Sequence, residues 1–175
     1  MKARNFRETK GVAYTRTKFI HGAPLPKITK FTTGDPKKKY DYKFTLVADK
    51  RLQIRHNALE AARVAVNREL QVKLGENYYM RVKPLPHVVL RENKMIFGAH
   101  ADRLQDGMRR SFGKPVVRAA RVEPGQVLVE AYVNEEGIDT AKLAMKRGED
   151  KLPTTCKIVM EKIAKKEEKV NEVAS

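Results

Sequence analysis

Tryptophan is absent, cysteine occurs once, and no apolar run is long enough to span a bilayer, which takes roughly 18–20 residues. The missing runs exclude a helical membrane protein. A lone thiol, Cys156, excludes an internal disulfide and makes no zinc site without distant histidines. The opening residues Met1-Lys2-Ala3-Arg4-Asn5 lack the apolar segment that follows the charges of a secretory signal, which argues against export. Acidic residues are scarce too: 21 Asp+Glu face 37 Lys+Arg, for a net charge of +16. At 175 residues and 41% hydrophobic, the chain has the length of one domain and the means for a modest core, which excludes full disorder. These limits describe a soluble, intracellular, strongly basic domain whose partner is rich in negative charge, nucleic acid before others.

The charge is polarised along the chain. Residues 1–51 carry 14 basic and 4 acidic side chains, and residues 91–121 carry 8 and 3, whereas residues 122–150 carry 3 and 7. A surface charged only for solubility would mix its signs more evenly.

Residues 1–39 are predicted to be an extended basic arm. Gly11, Gly22, Pro24, Pro26, Gly34 and Pro36 interrupt it, and Phe6, Tyr14, Phe19 and Phe31 are interleaved with its cations. Such an arm suits a phosphate backbone. A single α+β domain is expected over residues 40–161. Tyr42, Phe44 and Leu46 alternate with polar residues, as do Leu52 and Ile54, and both stretches read as half-buried strands. Leu59, Ala62, Val66 and Leu70 form one helical stripe, with Asn57 and Glu60 in capping-box spacing before it and Gly75 closing it. Met80 and Val82 mark a strand, and Pro84 and Pro86 confine Val88-Val89-Leu90 to an edge, a bulge or a turn. Residues 98–115 read as a long loop and Val127–Val133 as a strand. A second helix carries Ile138, Ala141 and Met145 and ends at Gly148 and Pro153, and a last strand carries Cys156, Ile158 and Met160. Residues 162–175 read as a frayed, charged tail. The expected fold is a small mixed sheet with two helices.

No site for chemistry emerges. His21, His56, His87 and His100 do not pair at ligand spacing, and neither a CxxC, a GxxxxGK[ST] nor a GxSxG occurs. Cys156, in an alternating strand, reads as a buried structural thiol. Asp102 and Asp106 have the makings of an acid/base pair, but Arg103, Arg109 and Arg110 surround them, and ion pairing within the loop is the simpler role. Neither an enzyme, a metal nor a cofactor is expected. The informative segment is the loop itself, where Gly98, Gly107 and Gly113 permit close backbone approach and arginines supply planar contacts to phosphate and bases.

At that loop the sequence resembles a known family. The run Ala101-Asp102-Arg103-Leu104-Gln105-Asp106-Gly107-Met108-Arg109, continued by Phe112-Gly113-Lys114-Pro115 and Ala120-Arg121-Val122, is similar to the archaeal and eukaryotic "L-ten-e" large-subunit ribosomal proteins, counterparts of bacterial large-subunit protein sixteen. Tyr14-Thr15-Arg16 through Lys27-Ile28, Asn57 through Arg63, and Pro86-His87-Val88 through Met95 carry the same likeness, which spans about residues 4–160. The resemblance implies a hammerhead-like α+β domain in the cytoplasmic ribosome. It would bind large-subunit rRNA beside neighbouring ribosomal proteins, between the central protuberance and the tRNA cleft. It implies a loop pointing toward the peptidyl-transferase region and the tRNA acceptor ends, formed here by Asp102, Arg103, Gln105, Gly107, Met108, Arg109, Arg110 and Phe112. Arg4, Arg7, Arg16, Lys18, Lys27, Lys30, Arg55, Arg63, Arg91, Lys94, Lys114, Arg118 and Arg121 are the expected rRNA contacts. Val117 and Arg118 stand where the family usually has a glycine and a small hydroxyl residue, and Arg118 adds a cation there. A stand-alone RNA-binding or RNA-chaperone module that visits RNA transiently fits the composition equally well.

Overall fold

Period-two alternation becomes strand wherever one face of a segment meets the core, and the longer of the two helical stripes becomes the longest helix. The structure, a computed structural model, describes residues 1, 9, 11–94, 96–98 and 107–163. In chain order its elements are β1 (Thr32–Gly34), β2 (Tyr42–Ala48), β3 (Leu52–Arg55), α1 (His56–Leu74), β4 (Tyr78–Val82), β5 (Val88–Glu92), β6 (Lys114–Val122), β7 (Val127–Val133), α2 (Ile138–Glu149) and β8 (Cys156–Lys162). Arg4, Arg7, Asp102, Arg103, Gln105 and Asp106 lie outside the described residues, as does the tail beyond Ile163.

The α+β class holds, with the strands divided between two antiparallel sheets in place of one mixed sheet. A five-stranded sheet runs β1-β4-β7-β2-β8 and a three-stranded sheet runs β3-β6-β5. Short connections explain the division. Parallel neighbours need crossovers of roughly a dozen residues or more, whereas β2 passes to β3, and β6 to β7, through a few residues each. Those two corners lie side by side: Ala48 N–H donates to Gln126 O at 2.9 Å, and Gly125 N–H donates to Ala48 O at 2.8 Å. One long antiparallel ribbon, β2–β3 against β6–β7, therefore bends from the first sheet into the second, with a bulge at Leu46/Val47 beside the corner.

The main core fills the inside of this bend. Phe44, Leu46, Met80, Val129 and Ala131 from the large sheet meet Ile54, Ala120 and Val122 from the small one, with Leu59, Val66 and Leu70 of α1 and Ala141, Ala144 and Met145 of α2 among them. A smaller cluster, Val88, Leu90, Val117 and Ala119, is packed by Met1 and Ala13.

Four sequence expectations are corrected here. Arg55 occupies the N-cap of α1 in extended conformation without a side-chain hydrogen bond, because β3 runs directly into the helix. Asn57 thus lies inside the helix, and Glu60 pairs with Arg63 instead of closing a capping box. Gly148 does not end α2 but sits buried within it, where a Cβ would stand 2.6 Å from Val66 Cγ2 of α1. The segment 1–39 is not wholly irregular: β1 pairs with β4, and Ile20 and Ile28 are buried. β8 is an edge strand with Ile158, Val159 and Met160 exposed, and Cys156 is only half-buried. Burial, with Glu149 and Asp49 nearby, still pushes the Cys156 thiol up to about 11, so it stays protonated at neutral pH. By contrast, the proline-flanked apolar run does form an edge strand, β5, with a bulge between Leu90 and Arg91.

Gly148 sets how closely α1 and α2 approach. Alanine there gains about 1 kcal/mol of helix propensity, but overpacking against the stiff Val66 costs about 1–3 kcal/mol. Chemical denaturation of Gly148→Ala is therefore expected to show a net loss that a second change, Val66→Ala, partly relieves. A Gly148→Ala variant more stable than the parent would show that the helices separate freely.

Candidate nucleic-acid interface

The arm is held to the folded body at intervals along residues 11–34. Arg121 donates to Gly11 O at 2.9 Å, Val89 N–H donates to Tyr14 O at 2.9 Å, and Arg118 Nε donates to Pro24 O at 2.8 Å. Lys27 N–H donates to His56 Nδ1 at 2.6 Å, and Val82 N–H donates to Phe31 O at 2.8 Å. Most of these contacts take arm carbonyls, so they do not engage the side chains of Arg16, Lys18, Lys27 and Lys30. Arg16, Lys18, Lys27 and Lys30 are all exposed.

The loop springs from the β5–β6 hairpin, whose last pair is Glu92 with Lys114. Gly113 closes its stem at φ +85°, and any Cβ there would run into the backbone of Glu92 and Asn93. Pro115, which has no N–H, sits at the bulge opposite Arg91, beyond the end of β3, where the lost ladder bond matters least. Gly107–Arg110 form a single 3-10 turn. Phe97, Met108 and Phe112 are 86%, 88% and 79% exposed.

Arg91 joins arm to loop. Its guanidinium lies 4.2 Å from the ring centroid of Tyr14 and 5.6 Å from that of Phe112, a cation held between an arm aromatic and a loop aromatic. The bulge beside it redirects the side chain to that position.

The sequence-predicted contacts thus fall into two groups. Arg16, Lys18, Lys27, Lys30, Lys94, Lys114, Arg109 and Arg110 are exposed, while Arg55, Arg63, Arg91, Arg118 and Arg121 are half-buried. Arg63 makes a two-point pair with Glu60, at 2.9 and 2.6 Å. Arg118 and Arg121 each give one donor to an arm carbonyl and keep others of their five. Sequence reasoning missed the role of Tyr14 as a partner of Arg91, because the two are brought together only by the arm crossing β5. Among the described residues no group of three His, Cys, Asp or Glu side chains is placed to hold a metal ion.

Comparison with known proteins bears on this surface. The family described as ribosomal protein L16p/L10e matches residues 9–159. The chain is 55% identical to the large ribosomal subunit protein uL16 of Hyperthermus butylicus, over 85% of this chain and 83% of that protein. Against the proteins of the same name from Picrophilus torridus and Metallosphaera sedula the identity is 48%, covering 93% and 95% of both chains respectively.

Two outcomes test this geometry. A cation–π contact at an exposed site contributes about 0.5–1 kcal/mol, so Arg91→Met should raise the rate of tryptic cleavage after Arg109 and Arg110 by about two- to fivefold. An unchanged rate would show that Arg91 does not hold the loop stem. His56 is buried, and that burial, with Lys27, Arg118 and Arg55 nearby, holds its imidazole below the usual pKa of 6.5. Below that value the unfolded chain takes up the proton first, so the contribution of His56 is full above pH 6.5 and is lost on acidification. Thermal unfolding between pH 7.5 and 5.5 should fall less steeply in His56→Asn, whose side-chain oxygen still accepts from Lys27.

Proposed function

The chain belongs to the ribosomal protein L16p/L10e family, structural components of the large ribosomal subunit and not enzymes, and we propose how its parts divide the work there. Its partners are ribosomal RNA and ribosomal proteins, in the cytoplasmic ribosome. Residues 1–39 act as an rRNA-binding arm and residues 40–161 as the body that fixes it. The loop of residues 98–115 reaches toward the tRNA acceptor ends and helps order the peptidyl-transferase region without itself doing chemistry.

One observation carries this reading. The arm is anchored mainly through its backbone while Arg16, Lys18, Lys27 and Lys30 remain exposed, so a phosphate backbone meets cations that are already positioned. The exposed Phe97, Met108 and Phe112, with Arg109 and Arg110 between them, support a different task for the loop. Aromatic and guanidinium planes stack on unpaired bases.

Sucrose-gradient sedimentation of a native lysate tests the assignment. Co-migration with the large subunit at about one copy per particle, persisting into moderate salt, is the expected result. Protein left at the top of the gradient would favour transient RNA binding. Each phosphate contact contributes roughly 0.7–0.9 to the slope of log K against log salt. Changing Arg16, Lys18, Lys27 and Lys30 together to Gln should therefore lower that slope by roughly 3 and weaken assembly. Deleting residues 102–112 should leave assembly intact and impair tRNA binding; failure of that variant to join the subunit would overturn the division of labour.

A further inference from the structure

The arm meets the large sheet along its edge, where β1 pairs with β4, and the loop springs from the small sheet. Along β4, Met80 and Val82 enter the core while Arg81 and Lys83 stand exposed on the other side. Cross-strand register builds two rows on that face. One runs from Tyr79 to Tyr132 to Lys43, the other from Arg81 to Glu130 to Thr45.

The face is built rather than merely solvated. Glu130 is 5% exposed and fixed by Lys83 at 3.2 Å and Lys43 at 3.7 Å, so one buried carboxylate sets the positions of two ammonium groups. Tyr79 and Tyr132 lie with ring centroids 5.6 Å apart and planes tilted by 37°, each ring half-buried, with its remaining area toward solvent. Arg81, in the adjoining row, makes no ion pair among the described residues. Lys157 extends the same face from β8, opposite Val47. Four cations, Lys43, Arg81, Lys83 and Lys157, thus face two carboxylates, Glu130 and Glu161. The surplus is positive.

We propose that this face is a second RNA platform, on which unpaired large-subunit rRNA bases stack on Tyr79 and Tyr132 while Arg81 and Lys83 take the adjoining phosphates. A β-sheet that presents aromatic rings beside cations is a recurrent way to hold single-stranded RNA. The identity of the RNA rests on the ribosomal reading above; the platform rests on the rings and charges of the sheet. The platform and the loop lie on different sheets, so the protein would join two separate stretches of RNA.

Ultraviolet cross-linking of intact large subunits containing this protein, followed by peptide mapping, tests the proposal. Nucleotide adducts are expected on Tyr79 or Tyr132 as well as on arm and loop peptides. Adducts confined to arm and loop would overturn the platform and leave the ribosomal role standing, as would a protein neighbour cross-linked through Lys83. Absence of the protein from the subunit peak would overturn both. Binding of the full chain to protein-free large-subunit rRNA supplies the second readout. Tyr79→Leu/Tyr132→Leu should weaken it by about tenfold or more, whereas Tyr79→Phe/Tyr132→Phe, which keeps both rings, should bind as the parent does. A Leu pair that binds like the parent, or a Phe pair as weak as the Leu pair, would show that stacking is not the interaction.

Discussion

The bend at Ala48 and Gln126 is the constraint on which the rest of the molecule depends. Two strands turn the same corner together, tied by reciprocal backbone hydrogen bonds, and so two sheets face one core. Without that corner, β5 and β6 would extend the large sheet and the loop would leave from its edge. With it, the hairpin that carries the loop stands on a separate sheet, free of α2 and β8, and the arm has an outer surface to cross.

Charge is distributed according to this scaffold. Arg63, Arg118 and Arg121 are partly committed inside the protein, and the last two, through arm carbonyls, secure a segment whose Arg16, Lys18, Lys27 and Lys30 are exposed. A net charge of +16 opposes compaction of the free chain through self-repulsion. Phosphate neutralises such repulsion. The carboxylate of Glu130 works in the opposite sense on the large sheet, holding two lysines at fixed positions.

What the sequence disclosed follows from the range of each interaction. The α1 stripe and the alternation in β2, β3, β4 and β7 are local signals, and each segment formed where those signals stood. Asn57 and Glu60 have a capping spacing that is equally local, yet β3 leads straight into the helix and no turn is left for a cap. Gly148 resembles a helix terminator in one dimension, but its neighbour in three is Val66, far away in the chain. The basic character of the arm and loop was legible, as was the family resemblance over most of the chain. The attachment of the arm was not, because Ile28 enters a core that exists only after both sheets have formed. Tyr79 and Tyr132 likewise become neighbours only through the pairing of β4 with β7.

The position of Arg91 between Tyr14 and Phe112 has a thermodynamic consequence. Arm and loop share one side chain, so restricting the motion of either lowers the entropy still to be lost by the other. Coupling of this kind is reciprocal. On the proposed division of labour, RNA that seats the arm would favour binding at the loop, and whatever seats the loop would tighten the grip of the arm by the same factor. A ligand of the loop is thereby also, from a distance, a ligand of the arm.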